Sequence, residues 1–160
     1  MRALAVCLCL VPSLGHALSC LPWGVTDAYL AADAATDAYV PVIGTLSFDE
    51  RLLPLARLKN QNDLPKDATI PATFSGQAMV RRGADVPFDT KVTFEVDCAA
   101  HWCGGAQSGK VLAFLRKDGD NYTLTTGPCG GYVFSRPDRA TIKQARQCLR
   151  GQTCAPSARR

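Results

Sequence analysis

The cysteine spacing is the strongest constraint on what this 160-residue chain can fold into. Eight cysteines are present, and none lies between residues 21 and 97. Two of them, Cys7 and Cys9, fall in an N-terminal stretch with one charge, Arg2, an apolar run from Ala3 to Val11, and small residues around Gly15, Ala17 and Ser19. That stretch, residues 1–19, has the form of a signal peptide, and its apolar core is too short for a permanent membrane span. Cleavage fits after Ala17 or after Ser19, and the second choice makes Cys20 the new N-terminus. Ala17-Leu18-Ser19-Cys20 also outlines a lipoprotein cleavage box, with Ala where an aliphatic residue is preferred, so a lipid on Cys20 is the lesser alternative. Removing the leader leaves Cys20, Cys98, Cys103, Cys129, Cys148 and Cys154 and a net charge of +3. Six cysteines in an exported domain, periplasmic or extracellular, read as three disulfides. Fifteen pairings are open, and any partner of Cys20 closes a long loop, worth about 4 to 5 kcal/mol in the chain-entropy model.

With 47% hydrophobic and 20% charged residues, the chain reads as one ordinary domain over residues 20–154, followed by a basic tail at 155–160. The Ala-rich segment from Asp27 to Thr36 predicts a short helix with Thr26 as its cap. Tyr39 to Phe48 reads as a strand, and Asp49 to Pro71, with three prolines and no period, as a long surface loop. Period-two alternation predicts strands over Thr73 to Arg82 and Phe88 to Val96. Val111 to Leu115 and Tyr122 to Thr126 flank Asp118-Gly119, a hairpin turn in which glycine supplies the positive φ. Tyr132 to Phe134 adds a short extended piece. Pro137 to Arg150 reads as an amphipathic helix stopped by Gly151, with Ser135 and Asp138 outlining a capping box. The fold class is therefore mainly β (α+β): a small five-stranded OB-like barrel with a short N-terminal helix and a C-terminal amphipathic helix, stapled by disulfides.

The order of features resembles the netrin-like module, the fold of the tissue inhibitors of metalloproteinases. The matching pieces are a cysteine at the mature N-terminus, the helix-to-strand run Ala28 to Gly44, Trp102-Cys103-Gly104, the hairpin, Gly127-Pro128-Cys129, and the cysteine-bearing last helix. The resemblance implies that Cys20 pairs with Cys103, that Cys98 or a C-terminal cysteine pairs with Cys129, and that Cys148 and Cys154 close a small loop. In the inhibitor branch the N-terminal cysteine's amine and carbonyl chelate a protease zinc, and the next side chain enters the specificity pocket. Those roles fall here on Cys20 and Leu21, with Trp23 beside them. The sequence departs from the family at Pro22, where a second cysteine is expected, and in the first helix, where residues such as Leu30 replace another.

Catalysis has few candidates. After the leader, His101 is the one histidine, in Cys98-Ala-Ala-His-Trp-Cys103, and a Cys–His dyad or a zinc site there needs free thiols that disulfides would consume. Asp33 and Asp37, four apart, could pair as carboxylates but read first as a solvated helix face. Trp23 and Trp102 read as binding aromatics or as covers for the sulfurs. No catalytic residue, metal or cofactor is expected. The most distinctive surface is basic: residues 136–160 hold seven Arg or Lys against Asp138 alone, and Arg139, Lys143, Arg146 and Arg150 recur as a stripe. Such a stripe attracts anionic lipid, polysaccharide or protein, and export argues against nucleic acid. The expectation is an exported binding module without a transmembrane segment, engaging a protein such as a zinc protease through Cys20, Leu21 and Trp23. The alternative is an envelope-associated protein using the basic helix.

Overall fold

The computed structural model describes residues 19–60 and 62–157. The leader up to residue 18, with Cys7 and Cys9, and Arg159 and Arg160 of the basic tail lie outside the described residues. The elements run α1 (Val25–Ala34), β1 (Ala38–Phe48), two short 3-10 turns, β2 (Ala68–Ala78), β3 (Val86–Val96), β4 (Cys98–Ala99), β5 (Trp102–Cys103), β6 (Gly109–Asp118), β7 (Asn121–Gly127), β8 (Gly130–Gly131), β9 (Val133–Ser135) and α2 (Arg139–Leu149).

Five strands close a barrel in the order β1-β2-β3-β7-β6 and back to β1. All neighbours are antiparallel except β3 and β7, which run parallel from Thr93–Thr123 to Val96–Thr126. This is the OB-like barrel expected. Its interior is filled by Val42, Leu46, Ile70, Phe74, Phe94, Val96, Val111, Leu115 and Leu124, all essentially inaccessible. The alternating burial of β2 reflects a strand with one wet face. Val111 to Leu115 is apolar without interruption because both of its faces are covered: Val111, Ala113 and Leu115 point into the barrel. Leu112 and Phe114 pack outward against Val25, Ala28 and Ala32 of α1 and Ala145 of α2.

β1 and β2 bend tightly around each other at Gly44, paired with Gly76. A Cβ on either would run into the opposite strand's backbone, so only glycine permits this approach.

Several expected boundaries shift. α1 begins at Val25 rather than Asp27 and its cap is Gly24, not Thr26. The capping group is instead Asp27, whose carboxylate accepts the Gly24 N–H at 2.8 Å. The long loop ends at Asp67, since β2 starts at Ala68 and runs through Pro71. Proline is tolerated there because β1 pairing begins only at Ala72, leaving Pro71 with a neighbour on one side. In the β6–β7 hairpin the two-residue loop is Gly119-Asp120, one position later than expected, with φ +58 at Gly119. α2 is capped by Asp138, which accepts the Thr141 N–H at 2.7 Å, and Ser135 takes no part in that cap. Its hydroxyl accepts the Gln107 N–H instead.

The tail beyond Cys154 is tied down over its described part. Ser157 gives its backbone N–H and hydroxyl to Asp27, so the end of the chain is fastened to the start of α1. Those hydrogen bonds outweigh the desolvation of the carboxyl and keep Asp27 below the usual carboxylate range.

Three disulfides staple the fold: Cys20–Cys129, Cys98–Cys103 and Cys148–Cys154. The Cys148–Cys154 loop is as the resemblance implied, whereas Cys20–Cys103 and a bond from Cys129 to Cys98 or a C-terminal cysteine are not formed. The reason is local: Cys98 and Cys103 face each other across the β4–β5 hairpin and satisfy one another, which leaves Cys129 at a neighbouring hairpin tip for Cys20. Three disulfides fit an oxidising compartment outside the cytoplasm. Among the described residues no helix is long and apolar enough to cross a membrane.

Candidate functional site

The N-terminal segment forms a ridge at one end of the barrel. Cys20 is bonded to Cys129, in the turn between β7 and β8, with Cα atoms 5.1 Å apart. Three residues on, the Trp23 indole N–H donates to the Gly131 carbonyl at 2.8 Å. The Trp23 ring lies directly on Gly130, which has φ +132, and a Cβ there would collide with the ring. Glycine at 130 is thus required twice, for its backbone angle and for the close approach of the indole. Between these two anchors Leu21 is held away from the body and is 65% exposed.

A second hairpin stands on the same foundation. Asp97 N–H donates to the Thr126 carbonyl at 2.9 Å, Gly104 N–H donates to the Asp97 carbonyl at 2.9 Å, and Gly104 packs on the Thr126–Gly127 backbone. Cys98 N–H reaches the Asp67 carboxylate at 2.7 Å. The hairpin lifts Trp102 to 59% exposure and turns through Ala100, a non-glycine residue at φ +52. Left-handed backbone at alanine is strained and is held by the surrounding disulfide and hairpin pairing. The hairpin is rooted on Thr126–Gly127 of β7, and the ridge on Cys129 to Gly131, whose β8 pairs with that part of β7. Beside Trp23 a cleft of about 370 Å³ is lined by Asp97, Thr125 to Gly131 and Tyr132. Tyr132 stacks at 4.8 Å on Tyr39, whose phenol is pushed up to about 12 by burial and by its hydrogen bond with Tyr132.

Cys20, Leu21 and Trp23, neighbours in sequence, lie on one exposed stretch fixed at Cys129 and Gly131. Neither tryptophan belongs to the buried core: Trp102 is 59% and Trp23 41% exposed, and Trp23 is placed by its hydrogen bond and its glycine seat. The sulfurs of Cys98 and Cys103 are joined to each other and do not serve as a nucleophile or as zinc ligands around His101. Among the described residues no three His, Cys, Asp or Glu side chains gather as a metal site. Asp33 and Asp37 do not share a helix, because α1 ends at Ala34, and Asp37 faces Arg116 at 3.7 Å.

The basic stripe lies elsewhere, on α2. Ala145 and Cys148 are buried against the barrel and α1, while Arg139, Lys143 and Arg150 are exposed. Arg146 departs from the expected free stripe. It forms a two-pronged pair with Asp85, at 2.6 and 3.2 Å, and Asp85 is only 8% exposed. Asp85 also accepts the Val80 N–H, so the pair clamps the β2–β3 turn to α2. Nothing in the local sequence of either element signals this clamp, because the partners are 61 residues apart.

The Arg146 hydrogen bond holds the Asp85 carboxyl below its ordinary value. A group depressed in the folded state stabilises fully above its unfolded pKa and loses that contribution as pH falls through the folded value. Asp85→Asn is expected to cost about 2 kcal/mol at neutral pH, the scale of a charge-assisted hydrogen bond. Urea unfolding should show the gap between parent and variant closing below about pH 4, and a gap independent of pH would refute the assignment.

Comparison of the chain with protein-family models, with curated proteins and with solved structures finds no match.

Proposed function

We propose that the protein is an exported binding module that offers its Cys20–Trp23 ridge to a protein partner, and that this partner is a zinc endopeptidase. The observation that carries the reading is Leu21 held 65% exposed between two fixed points, the Cys20–Cys129 disulfide and the Trp23–Gly131 hydrogen bond. A segment fixed on both sides loses little freedom on binding, so contacts made by Leu21 are not spent on ordering the loop. Exposed Trp102 on the adjoining hairpin supplies a second aromatic anchor of the kind that dominates interface energies. When the leader is cut after Ser19, the amine and carbonyl of Cys20 become a free pair of hard donors at the tip of the ridge. They would occupy the open position of a catalytic zinc, while Leu21 enters the adjacent pocket. Neighbouring backbone carries no regular structure, as a segment lying along a protease cleft requires.

The test compares two forms of the purified protein, one beginning at Cys20 and one beginning at Leu18, against a panel of zinc endopeptidases. The Cys20 form is expected to inhibit at least one of them, and the two-residue extension to weaken inhibition by about 100-fold or more, through loss of the chelating amine. Leu21→Gly in the Cys20 form should weaken inhibition about tenfold, which is one buried aliphatic anchor. Equal potency of the two forms, or no inhibition by either, would overturn the zinc-directed role.

A further inference from the structure

We infer that α2 carries a second binding site, for a linear acidic polysaccharide, which is independent of the ridge. Along α2 the positions 139, 143, 146 and 150 lie within a strip about 60° wide and about 16 Å long. Arg146 is withdrawn from that strip by Asp85, so its charge is already answered. This leaves Arg139, Lys143 and Arg150 exposed, with no salt bridge to a described acidic residue. The one acid within residues 136–157, Asp138, is occupied in capping the helix. The clamp thus has a second effect: it holds the helix in place while its free cations point to solvent.

Shape and chemistry narrow the occupant. These side chains line a groove of about 380 Å³ together with Arg146, the partly buried Ile142 and the amides of Gln147 and Gln152. Uncharged amides beside spaced cations suit a polymer that alternates hydroxyls with carboxylates or sulfates, because each sugar ring presents both. The cations recur at about one and two helical turns, so a chain bearing one anionic group on each ring can meet them in succession. A membrane surface fits less well. A helix lying in a bilayer interface needs an exposed apolar face. None of the large exposed hydrophobic side chains, Leu21, Trp23, Leu55, Leu64, Val86 and Trp102, lies on α2. Ile142 and Leu149 are turned instead toward the cluster shared with α1.

The test measures binding of the folded protein to immobilised alginate, a polyuronate, with neutral dextran and phosphatidylglycerol vesicles as comparison surfaces. Alginate should be bound and dextran not, and three charge contacts, each releasing about 0.7 of a counterion, should weaken binding about 20-fold between about 50 and 200 mM salt. R139Q/K143Q/R150Q should reduce alginate affinity at least tenfold while keeping the parent circular dichroism, since Arg146 and Asp85 are untouched. K59Q/K91Q/K117Q removes the same charge from exposed positions elsewhere and should bind alginate as the parent does. Equal loss in the two triple variants would reduce the effect to net charge and overturn the site. Stronger retention on vesicles than on alginate would overturn the polysaccharide as its occupant. Duplex DNA bound as tightly as alginate would overturn it too, as general polyanion attraction.

Discussion

Replacing Cys20 and Cys129 together by serine is expected to lower the stability of the protein by about 4 to 5 kcal/mol. The bond joins residues 109 apart, so cutting it returns to the unfolded chain the freedom of nearly the whole domain. The other two bonds close loops of 6 and 5 residues, and the same reasoning gives each about 2 kcal/mol. Denaturant unfolding of the three paired serine variants should reproduce that order. A Cys20–Cys129 variant no weaker than the short-loop variants would mean that the unfolded chain keeps its ends together without the bond. The same variant should also lose ridge activity, because Leu21 would then be fixed only through Trp23.

Phe94→Ala is expected to cost about 3 to 5 kcal/mol, the range for removing a buried phenylalanine. Phe94 has no solvent exposure and packs edge-on to Phe48 at 5.0 Å, linking β3 to β1 across the barrel interior. β3 also carries the parallel pairing with β7 that closes the barrel, so a void here cannot be refilled without moving that seam. Phe88→Ala, on the half-buried part of the same strand, should cost less than half as much. Urea midpoints of the two variants measure the difference, and equal midpoints would place the core elsewhere.

Much of the barrel was legible because its strands alternate. β3 shows Val92, Phe94 and Val96 on one parity, and those three side chains are buried in the interior. The β6–β7 hairpin was legible from its glycine, and α2 from the spacing of Ile142, Ala145 and Leu149. What escaped is what depends on neighbours far along the chain. Pro71 looked like part of a loop because a strand's tolerance of proline depends on which side its partner lies. Disulfide connectivity escaped because spacing alone does not distinguish fifteen pairings. The short Cys98-to-Cys103 interval, between residues that form a two-residue turn at Ala100-His101, was the one local signal for the bond that resolves the rest. At the ridge, Cys20, Leu21 and Trp23 are neighbours in the chain, but the seat of Trp23 on Gly130 and Gly131, more than 100 residues away, was not readable. On α2 the cations were evident from their period, and the withdrawal of Arg146 by Asp85 was not.

The bond from Asp27 to Ser157 gives the molecule a nearly closed outline. Ser157 meets the helix start only three residues after Gly24, so both ends of the described chain emerge on one side, next to the ridge. A reporter or affinity handle added at either end would crowd the surface proposed to meet a partner. In the long connection between β1 and β2, Lys59, Asn60 and Asn62 to Leu64 are exposed and lie outside the barrel strands, and this is the natural place to insert one. The same geometry suits circular permutation: a linker could join the segment before Gly24 to Ser157, which meet at the start of α1, and new ends could open in that connection with every barrel pairing kept.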